Sequence, residues 1–148
     1  MKIALYYAAL NPKGSSAGIV ERLNEKLDLS IDFKNVIDNP NVSDIVNYDF
    51  LIFLIATYGD QELQEHIEKF LISIYQDLTG KRFCVCELGN YYGYDDFSFG
   101  SGQIIENYLS SRNAQKYMPT SSIDSLPKID WWAVDYWIGQ LRINLKGH

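Results

Sequence analysis

Residues 50–56 read Phe-Leu-Ile-Phe-Leu-Ile-Ala, a run without a single polar side chain. A strand with one wet face alternates apolar and polar residues. A run that is apolar on both faces suits a strand covered on both sides, as in the middle of a parallel sheet. The segment that follows, 61–78 (QELQEHIEKFLISIYQDL), supplies one cover. Its Leu63, Ile67, Phe70, Leu71, Ile74 and Leu78 recur at helical spacing, and Thr79-Gly80-Lys81 predicts the stop.

Working outward, residues 3–9 form another apolar run and read as a buried strand. Ile19, Val20, Leu23 and Leu27 place a helical stripe on 17–27. Residues 29–34 (Leu-Ser-Ile-Asp-Phe-Lys) alternate, as a strand nearer the sheet edge does, and 36–47 is mostly loop with one helical turn. On the other side, 82–88 is a strand and 89–100 a polar, aromatic loop. Ile104, Ile105, Tyr108 and Leu109 share a helical face, and 114–123 is a weaker strand. The last helix, 131–145, turns Val134, Ile138, Leu141 and Leu145 inward. Tyr108 and Trp137 belong with the packing, whereas Trp131 and Trp132 cannot both face inward, so one is exposed. Alternating strands and helices predict one α/β domain over residues 1–148, a parallel sheet covered on both faces by right-handed crossovers.

Composition narrows the function. The chain has 148 residues, 47% hydrophobic and 22% charged, as a soluble globular protein does. Thirteen Lys and Arg against 19 Asp and Glu give a net charge of −6, which argues against nucleic acid and against an anionic membrane surface. The same charge favours encounters with basic-faced partner proteins. Cys84 and Cys86, two apart on a strand, share a face and are poorly placed to bridge; they read as small buried hydrophobes in a reducing compartment. His66 and His148 stand apart from any metal-ligating set. The apolar run in MKIALYYA is too short for a signal peptide, and no segment approaches membrane length, so the expected location is the cytoplasm.

A parallel sheet of this kind binds its ligand beyond the carboxyl ends of its strands, at the switch point of the strand order. Three loops meet that edge: 10–16, 57–61 and 89–100. The first contains Asn11-Pro12-Lys13-Gly14-Ser15-Ser16, which suits either a plain turn or a phosphate cradle built from backbone N–H groups and hydroxyls. The second, Thr57-Tyr58-Gly59-Asp60-Gln61, sets an aromatic before a Gly-Asp pair; Asp60 as a helix cap explains the pair but not the tyrosine. The third runs Leu88-Gly89-Asn90-Tyr91-Tyr92-Gly93-Tyr94-Asp95-Asp96, with aromatics suited to stacking on a flat ring or to a dimer contact.

In these loops the chain resembles the flavodoxin family. ATYGDQELQ (56–64) resembles the family's loop after the third strand, and LGNYYGYDDF (88–97) the loop after the fourth. The first strand, KIALYY, and the last helix, VDYWIGQL, also fit, so the resemblance covers essentially the whole chain. It implies a three-layer, doubly wound flavodoxin-like fold: a five-stranded parallel sheet in order 2-1-3-4-5 with helices on both faces. With no room for a long insertion in the fifth strand, the short-chain type is implied. The implied cofactor is FMN. Its phosphate would lie against Asn11, Lys13, Gly14, Ser15 and Ser16, and its ring near Thr57, Tyr58, Gly59, Asp60, Leu88, Gly89, Asn90, Tyr91, Tyr92 and Tyr94. Tyr58 and Tyr94 would flank the ring, with Tyr91 or Tyr92 as alternatives to Tyr94.

The chain also departs from the family. Lys13-Gly14-Ser15-Ser16 replaces a Ser/Thr-rich ending, Ala8 and Ala9 replace hydroxylic or small residues, and the first loop is longer. Glu87 stands where many members have Gly, and Asn90 where Asp is common. The resemblance implies a monomeric one-electron carrier between a reductase and an acceptor enzyme, with no catalytic residue or metal of its own. Two alternatives stay open: an FMN-dependent NAD(P)H oxidoreductase of the same fold, although GxGxxG is absent, and a flavin-free protein-binding module.

Overall fold

The apolar run at 50–56 becomes the central strand of the sheet. In the computed structural model, residues 1–10, 14–58, 62–89, 100–126 and 128–146 are described, with the backbone alone at 57, 58 and 62. The elements are β1 (Ile3–Tyr7), α1 (Ser15–Lys26), β2 (Ile31–Asn35), β3 (Phe50–Tyr58), β4 (Glu62–Leu63), α2 (Glu65–Ile72), β5 (Arg82–Gly89), α3 (Gly100–Ser111), β6 (Gln115–Lys116), β7 (Ser121–Asp124) and α4 (Trp131–Lys146). The sheet runs β2-β1-β3-β5, and β6 and β7 both pair with β5. All these pairs are parallel. With β6 and β7 as two halves of one strand, this is the expected order 2-1-3-4-5.

Side-chain alternation along the strands builds two cores. Leu5, Ile52, Leu54, Cys84 and Cys86 meet Ile19 and Leu23 of α1 and Val134, Trp137, Ile138 and Leu141 of α4. Ala4, Tyr6, Leu51, Phe53 and Val85 meet Ile67, Phe70 and Leu71 of α2 and Ile105 and Leu109 of α3. The three layers follow. Asp135 on α4 ties that helix to α1, accepting from Arg22 Nε at 3.0 Å and Nη2 at 2.8 Å, with Lys26 Nζ at 3.3 Å. Both cysteines are buried on one face, as expected.

Several local expectations need correction. The helix predicted over 61–78 spans only Glu65–Ile72. At its start, Leu63 and Glu62 pair antiparallel with Thr57 and Tyr58, so those two residues extend β3 rather than open a loop. At its end, Ser73 closes the last turn, its N–H donating to Phe70 O at 3.2 Å and its hydroxyl to the same oxygen at 2.6 Å. Ile74 and Leu78 nevertheless stay fully buried, filling the core from non-helical backbone, and so extend the helical spacing in sequence. Segment 36–47 holds two 3₁₀ turns, Val36–Asp38 and Val42–Asn47, capped by Asn35 and Asn41.

The weak fifth strand is interrupted. Arg82 faces Gln115, an offset of 33, whereas Cys86 faces Ser121, an offset of 35. The extra residues fall between Lys116 and Ser121, where Pro119 offers no N–H. Trp131 and Trp132 do not both face inward, as expected, and both are exposed: the Arg22 guanidinium lies 5.0 Å from the Trp131 ring, and Trp132 stacks on Tyr136 at 5.7 Å. Among the described residues no helix is long and apolar enough to cross a membrane.

Candidate functional site

The carboxyl ends of β1, β3, β5 and β7 open onto a cleft of about 280 Å³. Small residues create it. Ala8, Ala9, Ala56, Gly14 and Gly89 line its walls and leave backbone close to any ligand. The first wall is held in place from β2. Ala9 N–H donates to Asn35 Oδ1 at 3.1 Å, and Asn35 Nδ2 donates to Ala9 O at 2.9 Å. Asn35 Oδ1 also accepts from Ile37 N–H at 3.2 Å. Tyr7 and Asn35 are partners in the β1–β2 ladder, so the amide continues that ladder beyond the strand end.

The start of α1 forms the facing wall, with Gly14, Ser15 and Ser16 lining the cleft. Gly14 is the N-cap, in extended conformation, and supplies no capping side chain; the first intrahelical bond is Gly18 N–H to Gly14 O at 3.1 Å. The N–H groups ahead of it, which every helix leaves without intrahelical partners, meet no acidic residue in the first turn. Ser16 is buried and carries a hydroxyl beside them.

The remaining walls come from β5 and the segment after β7. Gly89 O accepts from Ser125 N–H at 2.8 Å, which brings buried Ser125 and exposed Leu126 to the cleft. Gln64, the N-cap of α2, completes the lining: its Oε1 accepts from Ile67 N–H at 2.9 Å, and its Nε2 lies 2.8 Å from His66 Nδ1. No charged side chain lines the described part of the cleft. An anion entering it therefore meets N–H groups and hydroxyls rather than carboxylates.

Of the residues named from the sequence, the structure brings Gly14, Ser15, Ser16, Leu88 and Gly89 together at this cleft. Thr57 and Tyr58 are the last backbone positions of β3, next to Ala56 on the cleft wall. Asn11, Lys13, Gly59, Asp60, Asn90, Tyr91, Tyr92 and Tyr94 lie outside the described residues. Glu87 is fully buried rather than on the cleft wall, and its Oε2 lies 2.8 Å from the position a Cβ on Gly102 of α3 would take. Gln64, Ser125 and Leu126 were missed. Ser125 directly follows the last strand at the ligand edge, which is the available signal; Gln64 belongs to a stretch whose apolar spacing points to helix rather than to a ligand. Among the described residues no group of His, Cys, Asp and Glu is placed to hold a metal ion.

No family model matches the chain. A flavodoxin from Synechococcus elongatus is 28% identical over 135 residues, covering 83% of this chain and 74% of the relative. Among solved structures, an oxidised flavodoxin 1 from Bacillus cereus superposes with a TM-score of 0.76 at 22% identity, covering 100% of this chain and 99% of that one. A Fusobacterium nucleatum flavodoxin bound to flavin mononucleotide gives a TM-score of 0.74 at 21% identity, covering 96% of this chain and 97% of that one. The structural likenesses concern the fold. The strand order and the cleft at the switch point match that fold, and the sequence relative supports the resemblance to flavodoxins.

Proposed function

We propose that the cleft holds the phosphate and ribityl chain of FMN, and that the protein is a cytoplasmic, monomeric carrier of single electrons between a reductase and an acceptor enzyme. One observation carries the reading. The N-terminus of α1, uncapped by Gly14 and flanked by the Ser15 and Ser16 hydroxyls, forms a wall of the cleft at the carboxyl ends of β1, β3 and β5. The residues present fit the group. About 280 Å³ lies at the small end of ligand pockets and suits a narrow chain ending in an anion rather than a whole nucleotide. The Fusobacterium relative of the same fold was solved with flavin mononucleotide bound.

Bound FMN would supply the redox chemistry. The chain's own part is to bind and orient. Ser15, Ser16 and the first N–H groups of α1 meet the phosphate, and the Ala8, Ala9 and Ala56 walls admit the ribityl chain without a steric bar. On the family resemblance, Tyr58 and Tyr94 take the faces of the ring, backbone at 90–92 takes its edge, and Asn11 and Lys13 complete the cradle. The net charge of −6 supports docking on basic faces, so transfer rates should fall as ionic strength rises.

The test is titration of the apo-protein with FMN and with riboflavin, followed by flavin fluorescence. Quenched, saturable FMN binding at least about tenfold tighter than riboflavin binding is expected. Equal affinity for both removes the phosphate cradle from the reading. Binding of neither overturns it in favour of a flavin-free module.

A further inference from the structure

Gln64 is an odd choice for a helix N-cap, a position that favours Ser, Thr, Asp and Asn. It is also buried, at 8% exposure, where an amide needs its hydrogen bonds met. Its geometry settles which end is which. The oxygen takes the Ile67 N–H at 2.9 Å, so the nitrogen faces His66 Nδ1 at 2.8 Å, and that ring nitrogen must be the acceptor. An amide nitrogen carries two hydrogens. One is spent on His66, and Gln64 lines the cleft beside Ala8 and Ala56. A serine cap would serve α2 as well, but its short hydroxyl, held at the cap, would not carry a donor out toward the cleft as the amide does.

We infer that Gln64 is a ligand-binding residue: its second Nε2 hydrogen donates to an oxygen of the flavin's non-ring portion, a ribityl hydroxyl or the phosphate. His66 is then a positioning residue that acts through Gln64, holding the amide so that nitrogen rather than oxygen faces the ligand. The assignment rests on the flavin reading above and extends it to a side chain on a wall that the three ligand loops do not form.

The decisive variant is Gln64→Ser, which keeps a capping oxygen but removes the amide N–H donors, its own shorter hydroxyl sitting back at the helix cap. Its urea unfolding midpoint should equal or exceed that of wild type, while FMN affinity falls about five- to tenfold, the loss of one neutral hydrogen bond. If riboflavin affinity falls by the same factor, the acceptor is a ribityl hydroxyl. If only FMN is affected, it is the phosphate. Should the serine variant unfold early, Gln64→Glu retains the oxygen for Ile67 and replaces the donor with an acceptor, and a loss at least as large is expected. His66→Leu should weaken FMN binding in the wild-type background and have no effect in the Gln64→Ser background. Unchanged FMN affinity in both Gln64 variants overturns the inference while leaving the flavin reading intact. Additive losses for His66→Leu and Gln64→Ser overturn the positioning role. Wild-type protein that binds no flavin overturns both readings together.

Discussion

Asn35 grips Ala9 by both of its backbone groups, accepting from its N–H at 3.1 Å and donating to its carbonyl at 2.9 Å. The same carboxamide oxygen starts the turn that follows β2 by accepting from Ile37 N–H. One side chain on a strand nearer the edge therefore sets the path of the ligand loop leaving β1. Asn35→Ala should lower stability by about 1–3 kcal/mol, because partly buried backbone groups lose their partners. It should also weaken FMN binding, although Asn35 does not line the cleft. Urea unfolding and FMN titration of the same preparation check both effects.

Two glycines on helices should respond in opposite directions. A Cβ on Gly102 would lie 2.8 Å from Glu87 Oε2 and 3.1 Å from Thr120 Cγ2, whereas one on Gly139 meets nothing within 4 Å. Gly102→Ala should destabilise by about 1–3 kcal/mol through overpacking against a buried carboxylate. Gly139→Ala should stabilise by up to about 1 kcal/mol through helix propensity alone. Thermal unfolding of the pair provides its own control.

The two thiols should be silent in the native protein. Burial pushes both well above the ordinary thiol range, and Cys86 also lies near Cys84 and the Glu87 carboxylate. A thiol-reactive dye should label neither at neutral pH until denaturant is added, and both afterwards. Rapid labelling of native protein would show that the strand pair β3–β5 opens locally.

Asp135 gives the acid limb a specific component. Hydrogen bonds from Arg22, outweighing partial desolvation, hold its carboxyl down at about 2, and Lys26 adds to the effect. A depressed carboxyl contributes stability that is present above the unfolded value near 3.9 and is lost as pH falls through about 2. The pair is partly exposed, so the contribution is modest. Between about pH 4 and 2, wild-type stability should fall more steeply than that of Asp135→Asn, as chemical unfolding across that range would show.

The sequence carried the fold wherever side-chain period and burial agree. FLIFLIA is apolar on both faces because helices cover both faces of β3, and β2 alternates because it lies at the edge. Legibility failed where burial outlasts regular backbone. Ile74 and Leu78 keep helical spacing but plug the core from a turn, so 61–78 looked like one long helix. At the cleft, Gly14, Ser15 and Ser16 were legible because an anion site has its own composition. Gln64 was not, since the same Glu-Leu-Gln letters satisfy a helix start, and only the pairing of Leu63 with Thr57 turns them toward the ligand edge. Ala8, Ala9 and Ala56 contribute by leaving space, and in sequence a small residue at a strand end suits a tight turn as well as a cleft wall.

The slip between β6 and β7 has a consequence for how the molecule meets other chains. A sheet rim recruits a foreign strand through an unbroken row of free N–H and C=O groups. Here one rim is cut into pieces of two and four residues, with Pro119 between them and Lys116 ion-paired to Glu106 at 2.8 Å. The opposite rim, β2, carries Asp32, already engaged by the Tyr48 hydroxyl at 2.7 Å. The broken rim gives a passing copy little to zip onto. Along β2, unbroken over five residues, the charged Asp32 and Lys34 oppose such pairing instead.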